Sequence, residues 1–350
     1  MRALIAPDKF TGSLTADEVA RAIGSGMNGV DVAYLPLADG GDGSVDAAIA
    51  AGCAPVVLNG GATIAVRNDT VLVELANTCG IQTLPAGTRE PMLSSTRGLG
   101  EAILEALTLA PRSIVIALGG SASTDGGAGM LAALGVQFLD RDGAVVEPNG
   151  GSLERIHSAD TSGLPDLGGV ELVCATDVIN PLLGADGAAA VFGPQKGATG
   201  EQIARLEAGL ATLARVLGRA DEPGAGAAGG AAYGCLLLGA RLVSGADYFL
   251  DLLGFDALAA ASDLVITGEG SLDSQTASGK LVAVVAARSA APVVAVVGRC
   301  LLSPDEAHAL ALAGVYSTSE WAGRDTSDDR EATMAALTSI GTAIGAHLGR

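Results

Sequence analysis

Short apolar runs alternate with stretches of helical period at both ends of the chain. Ala3-Leu4-Ile5-Ala6 and the run from Val32 to Leu37 end in polar or glycine residues and read as strands. Between them, Thr15-Ala16-Asp17-Glu18 has the form of a capping box, in which a hydroxyl and a carboxylate satisfy the free amides of a helix start. Val19, Ala20 and Ile23 then fall on one face of a helix reaching about Gly26. A second helix is predicted from Val45 to Ala51. From Asp263 onward the alternation resumes: strands at 263–267, 292–298 and 314–317, and helices over 278–290, 303–312 and about 329–347. The unbroken apolar run after Pro292 is of the kind buried on both faces of a sheet.

These two ends predict one α/β domain, residues 1–50 plus 245–350, with a flavodoxin-like doubly wound parallel sheet. Its first strand is expected between the second strand and the Leu264 strand. Residues 51–244 read as an inserted second α/β domain. There, short β runs at 55–58, 63–67 and 71–75 precede a helix over 98–109 and a buried strand over 113–117. The stretches 135–140 and 143–146 predict a hairpin around Arg141-Asp142-Gly143. A strand over 171–176, a helix over 201–217 and a Gly/Ala-rich stretch suited to a close-packed helix start complete the insertion.

Composition narrows the class. Among 350 residues, 49% are hydrophobic but only 3% aromatic, so a large core must be built from Ala, Val, Leu and Ile. The 50 glycines follow no collagen-like period and instead punctuate turns. A net charge of −19 without any Lys/Arg cluster excludes a nucleic-acid binder. The five cysteines are scattered with no CxxC pair, which argues against a zinc site or a disulfide framework. No apolar stretch is long enough for a membrane span, and acidic Asp8 follows closely on the first residues, so a cytoplasmic protein is expected. Whether it pairs as a homodimer is left open.

Three acidic turns follow predicted strands: Pro7-Asp8-Lys9, Asp39-Gly-Gly-Asp42-Gly43, and Thr267-Gly-Glu269-Gly270 continuing to Asp273. If the strands are parallel neighbours, these turns share the carboxyl edge of the sheet, where open α/β sheets bind ligands. Carboxylates with a lysine there point to Mg²⁺ and phosphates, with Asp42, Glu269 and Asp273 as metal candidates. Asp42 could equally cap the following helix. The run Gly119 to Gly129 joins a strand to a helix. Gly120 lets backbone approach a ligand, Ser121, Ser123 and Thr124 offer hydroxyls, and the helix start offers amides to an anion, although a plain tight turn needs fewer of these features. No Walker sequence is present. Lys9, Lys196 and Lys280, the only lysines, stand in polar or glycine loops or at loop–helix junctions and are candidates to neutralise a phosphate or carboxylate. Asp177 follows another apolar strand and is either a base for a substrate hydroxyl or part of an Asx turn. His157, His308 and His347 show no metal spacing.

Taken in order, these segments resemble the glycerate kinase family. The matching stretches are Ala6 to Thr15, Pro36 to Gly43, Gly119 to Met130 (with Asp125), Asp177 to Leu182, Phe192 to Ala198, Pro223 to Gly230 and Thr267 to Lys280. The resemblance implies a flavodoxin-like domain interrupted by a second α/β domain, and ATP- and Mg²⁺-dependent phosphorylation of D-glycerate, favouring the 2-hydroxyl. It implies catalytic roles for Asp39, Asp177, Lys9 and Asp8, and substrate or phosphate binding by Gly120, Ser121, Ser123, Thr124, Asp125, Lys196 and Lys280. Alternatives are a kinase forming 3-phosphoglycerate or a non-catalytic sugar-acid sensor. Thr11 stands where the family usually has lysine, and Ile179 where many relatives carry a polar residue.

Overall fold

The computed structural model describes residues 1–85, 87–273 and 281–348. The chain packs as two compact units: Met1–Asp39, Asp46–Ala51 and Ala246–Arg350 form unit 1, and Gly40–Val45 and Gly52–Gly245 form unit 2. The fold is α/β, a flavodoxin-like sheet interrupted by a second α/β unit.

Unit 1 is built on five parallel strands in the order Gly314–Ser317, Val293–Val297, Leu264–Gly268, Arg2–Pro7, Asp31–Tyr34. The first strand of the chain lies between the second and the Leu264 strand, as the sequence predicts. Side chains alternate across the pleat. Ala3, Ile5, Leu264, Ile266, Val294 and Val296 pack with Val19 and Ile23 of helix Ala16–Gly26 and with Leu337 and Ile340 of helix Arg330–Leu348. Ala295 and Val297 pack instead with Leu272 and Val282. Two faces covered by apolar side chains explain why the central strands carry no polar alternation.

The capping box forms as read. The Glu18 amide donates to Thr15 Oγ1 at 3.3 Å and the Thr15 amide to Glu18 Oε2 at 2.9 Å. Arg330 pairs with the same carboxylate, and its hydrogen bond is the main reason the Glu18 carboxyl falls to about 2. The helices bearing Glu18 and Arg330 touch backbone to backbone. A methyl group at Gly341 would lie 2.0 Å from the Ile23 carbonyl oxygen, and one at Gly26 would lie 2.1 Å from that of Thr338.

Unit 2 contains a six-stranded mixed sheet in the order Arg241–Val243, Glu171–Ala175, Ser113–Ala117, Thr70–Glu74, Thr63–Arg67, Ala54–Val57. Its first four strands are parallel and its last two join antiparallel. The hairpin expected over 135–146 does not form as two strands. Gln137–Leu139 pairs with Ser158–Asp160, and Val145 reaches Leu139 only by an isolated bridge. The turn itself forms where expected: the Asp140 amide donates to the Ala144 carbonyl at 2.9 Å and the Val146 amide to the Phe138 carbonyl at 2.8 Å, while the Asp140 carboxylate accepts from the amides of Asp142 and Ala144 at 3.0 and 2.9 Å. The Gly/Ala stretch becomes helix Ala227–Leu237, but its first turn is left-handed at Ala228, Gly229 and Gly230. Among the described residues, no helix is long and apolar enough to cross a membrane.

The close approach of the two unit 1 helices generates a stability prediction. Gly341→Ala improves helix propensity by about 1 kcal/mol, yet its methyl group meets fixed backbone, a strain of about 1–3 kcal/mol. Urea denaturation should therefore show net destabilisation. An unchanged or raised midpoint contradicts the tight contact.

Candidate active site

Register places three acidic turns of unit 1 together. Pro7 pairs with Gly268, and the Asp8 amide continues the ladder onto the Gly268 carbonyl at 2.8 Å. On the other side the Leu37 amide donates to the Pro7 carbonyl at 2.8 Å, bringing the chain alongside two residues before Asp39. Asp8, Asp39 and Glu269 thus gather at the carboxyl edge of the parallel sheet. Asp8 retains some exposed surface but is closely surrounded by protein. Its carboxyl is held well above the ordinary carboxylate range, first by desolvation and then by the negative charge of Asp39. The charge of Lys9 and a hydrogen bond from the Lys9 amide (2.7 Å) oppose this, while Glu269 adds to it. Asp273 follows the two-residue strand Ser271–Leu272, which pairs with Arg299–Cys300 beyond the end of the main sheet. Thr11 is exposed at the tip of the turn closed by Phe10 and Leu14. Lys280 lies outside the described residues.

In unit 2, the segment Gly40–Val45 crosses the carboxyl ends of the strands. The Gly119 amide donates to the Gly40 carbonyl at 3.0 Å. A methyl group at Gly40 would lie 2.5 Å from the Ala175 carbonyl oxygen, and one at Gly119 would lie 2.3 Å from Gly41 Cα, so these contacts admit no side chain. Asp42 stands beside Gly120. The segment is anchored by Glu74, 2% exposed at the end of its strand, whose carboxylate accepts from the amides of Gly43 (3.1 Å) and Val45 (2.8 Å). Sequence reasoning passed over Glu74. Its signal was a lone acid near the end of the apolar run 71–75, read as a short β run. Asp177 follows the Glu171–Ala175 strand at the same edge, and its Oδ1 accepts from the Gly245 amide at 2.9 Å. Ile179 is 80% exposed. The opposite edge of this sheet carries an open depression of about 590 Å³, lined by Asp69, Arg112 and Glu171 among others and by none of the candidates.

The glycine run is where structure and sequence part. Asp125 is fully buried and accepts from Thr96 N (2.7 Å), Thr96 Oγ1 (2.8 Å), Gly127 N (3.2 Å) and Gly129 N (3.1 Å). Burial pushes its carboxyl up, against these hydrogen bonds. The amides at this helix start are thus engaged by the chain's own carboxylate, and Asp125, expected to contact a ligand, is fully buried and holds the loop in shape. Thr96, a second residue the sequence did not single out, completes that arrangement and returns its hydroxyl oxygen to the Met130 amide at 2.9 Å. Ser121 and Ser123 are also buried, with Ser121 Oγ donating to the carbonyls of Ser123 (3.1 Å) and Ala228 (3.0 Å). Thr124 Oγ1 is buried with no hydrogen-bond partner among the described residues. Lys196 is 2% exposed, and its Nζ donates to the Ser123 carbonyl and, at 3.4 Å, to Ser121 Oγ. Gly120 and Ser121 are left as the part of the run nearest the strand end.

Each unit therefore brings acidic residues and glycine turns to the carboxyl edge of its own sheet, the arrangement of an α/β enzyme acting on small charged molecules. The comparisons make the class specific: the chain belongs to the glycerate kinase family, whose model matches residues 3–346, and it is a kinase. It is 40% identical over 324 residues to the glycerate kinase of Bacillus subtilis (strain 168), and equally to the glycerate 2-kinase of Escherichia coli (strain K12), with 85% of each chain covered in both cases. A Salmonella typhimurium LT2 crystal structure provisionally assigned as glycerate kinase 2 matches with a TM-score of 0.78 at 36% identity, covering 100% of this chain and 98% of that one.

The buried carboxylate supports a second prediction. Asp125→Ala leaves the amides of Thr96, Gly127 and Gly129 unpaired, each at a cost of about 1–3 kcal/mol where water cannot reach. The variant should lose at least about 2 kcal/mol in denaturant titrations. A loss below about 0.5 kcal/mol contradicts an internal role for this carboxylate.

Proposed function

We propose that the chain transfers the terminal phosphoryl group of ATP to D-glycerate, at the 2-hydroxyl, giving 2-phosphoglycerate. Family membership and the glycerate 2-kinase relative support the acceptor and the position. The observation that carries the chemistry is the crowding of Asp8, Asp39 and Glu269 beside Lys9. Phosphoryl transfer needs positioning and charge neutralisation more than covalent chemistry.

In this reading the Asp8–Asp39 pair receives the proton of the attacking hydroxyl. The raised proton affinity of Asp8 suits a base working near neutral pH. Lys9 meets the substrate carboxylate or a phosphate as a point charge. In unit 2, Gly120 and Ser121 lie against the nucleotide phosphates, with Asp42 beside them, and Asp177 orients a hydroxyl from the neighbouring strand end.

Mg²⁺ fits the donor chemistry of unit 1, because Glu269 and Asp273 offer hard oxygen ligands next to crowded negative charge. When bound, the ion neutralises charge on the transferring group. Among the described residues no three His, Cys, Asp or Glu side chains are grouped to hold a metal. A nucleotide-bound Mg²⁺ needs only one or two carboxylates in addition to phosphate oxygens and water.

Phosphorus NMR of a reaction of enzyme, ATP, Mg²⁺ and D-glycerate should show 2-phosphoglycerate. A signal for 3-phosphoglycerate overturns the assigned hydroxyl, and glycerate binding without turnover marks a sensor. Asp39→Asn should lower kcat by about 10²-fold or more with unchanged circular dichroism. Asp8→Asn should be equally inactive yet melt higher at neutral pH. A carboxyl raised by folding still holds its proton where the unfolded chain has lost one, so folded stability falls as pH rises from the ordinary carboxylate range to the raised value. Asparagine removes that loss, and a lower Tm than wild type at pH 7 contradicts the crowded cluster.

A further inference from the structure

Three separated segments converge on the amine of Lys196. The turn Pro194–Lys196 carries it, Ser121 and Ser123 accept its hydrogen bonds, and the left-handed stretch Ala228–Gly230 closes over it. The closure is tight. A methyl group at Gly229 would lie 2.0 Å from the Ser123 carbonyl oxygen and 2.6 Å from Lys196 Nζ. The Gly229 carbonyl accepts from the Gly126 amide at 3.1 Å, and the Ala228 carbonyl accepts from Ser121 Oγ. Among the described residues no carboxylate forms an ion pair with this lysine. In the segment that the amine holds, Thr124 Oγ1 is buried with no hydrogen-bond partner among the described residues.

A buried ammonium without a paired carboxylate is expensive. If stapling the loop were its only use, a neutral donor would serve at lower cost. We propose that Lys196 is a positioning residue: its buried ammonium fixes the Ser121–Thr124 segment and gives it the positive charge that nucleotide phosphates sense at Gly120 and Ser121. The amine reaches no substrate atom and acts through the loop it holds. This rests on the phosphoryl-transfer reading above and assigns the nucleotide side of the reaction to this segment.

Burial lowers the amine to about 7, while the charge of Asp125 pulls it back up. Cys79 is itself pushed up to about 11 by burial, so it stays a neutral thiol through the neutral range. Arg89 packs its side-chain stem near Gly197 but turns its guanidinium to the Thr88 carbonyl. Ser121, Ser123, Ala228 and Gly229 contribute no charge. The ammonium is therefore lost within the range where the enzyme can be assayed.

Steady-state kinetics of wild type, Lys196→Met and Lys196→Gln from about pH 6 to about pH 9 test the proposal, with Tm measured at each pH. The wild-type KM for ATP should rise by about tenfold as pH passes the amine's titration, because the loop loses its charge. Both variants should show the raised KM already at the acid end and no step. Glutamine keeps a donor for Ser123 without the charge, and neither variant should melt below wild type at the acid end, since each removes an uncompensated buried charge. A variant with the wild-type KM across the range overturns the proposal. So does a variant that keeps the wild-type pH step, or one that is merely less stable with normal kinetics. If the chain does not phosphorylate glycerate, calorimetric titration of ATP over the same range reads the Lys196 effect alone, so failure of the reaction and failure of this role remain distinct.

Discussion

The parallel pairing of Arg2–Pro7 with Leu264–Gly268 is the constraint from which the acidic cluster follows. Parallel strands release their chains at the same edge, and the Asp8 amide bound to the Gly268 carbonyl fixes how far apart they release them. With the Asp31–Tyr34 strand on the other side, Asp8, Asp39 and Glu269 have no separate exits. Burial first, and then the negative charges of Asp39 and Glu269, hold the Asp8 carboxyl well above the ordinary range. The local free energy of this edge is unfavourable, and the strands persist there because buried apolar packing on both faces holds their register.

Unit 2 meets the same problem of charge at a sheet edge differently. Its buried acid, Asp125, sits in a ring of amides and a hydroxyl, and its buried base, Lys196, sits on a carbonyl and a hydroxyl. Among the described residues neither is paired with an opposite charge in contact, and the attraction between them acts at longer range. The glycine run is thus largely occupied with itself. Gly126, Gly127 and Gly129 direct their amides to Gly229 or Asp125, whereas the beginning of the run lies next to Gly41 and Asp42.

Much of the fold was legible because its signals are local. Uninterrupted apolar runs marked the central strands, and Thr15-x-x-Glu18 and Ser303-x-x-Glu306 marked helix starts that the hydrogen bonds reproduce. The 135–146 stretch turns where the sequence places the turn, but its pairing stays a single bridge, because the Asp140 carboxylate takes the Ala144 amide, and side-chain capture of this kind leaves the apolar pattern unchanged. The carboxylates of unit 1 were legible because strand order follows from doubly wound topology. Asp125 and Lys196 were harder. Glycines, hydroxyls and a charged residue look the same in sequence whether the anion they surround comes from solvent or from the chain. Glu74 and Thr96 act on segments 31 and 29 residues away, beyond the reach of any local pattern.

The strap from Gly40 to Val45 belongs to unit 2 although the residues on either side of it belong to unit 1. Glu74 tethers its far end, and at its near end Ala175 and Gly119 lie tight against Gly40 and Gly41. No single cut therefore separates the two units. A fragment spanning 52–245 would expose raw strand ends and strand the Glu74 carboxylate without its amides, while the remaining pieces would carry an orphaned loop. During synthesis all of unit 2 has been made by Gly245, whereas the opening strands of unit 1 must wait for the segment from Ala246 onward before their sheet can be completed.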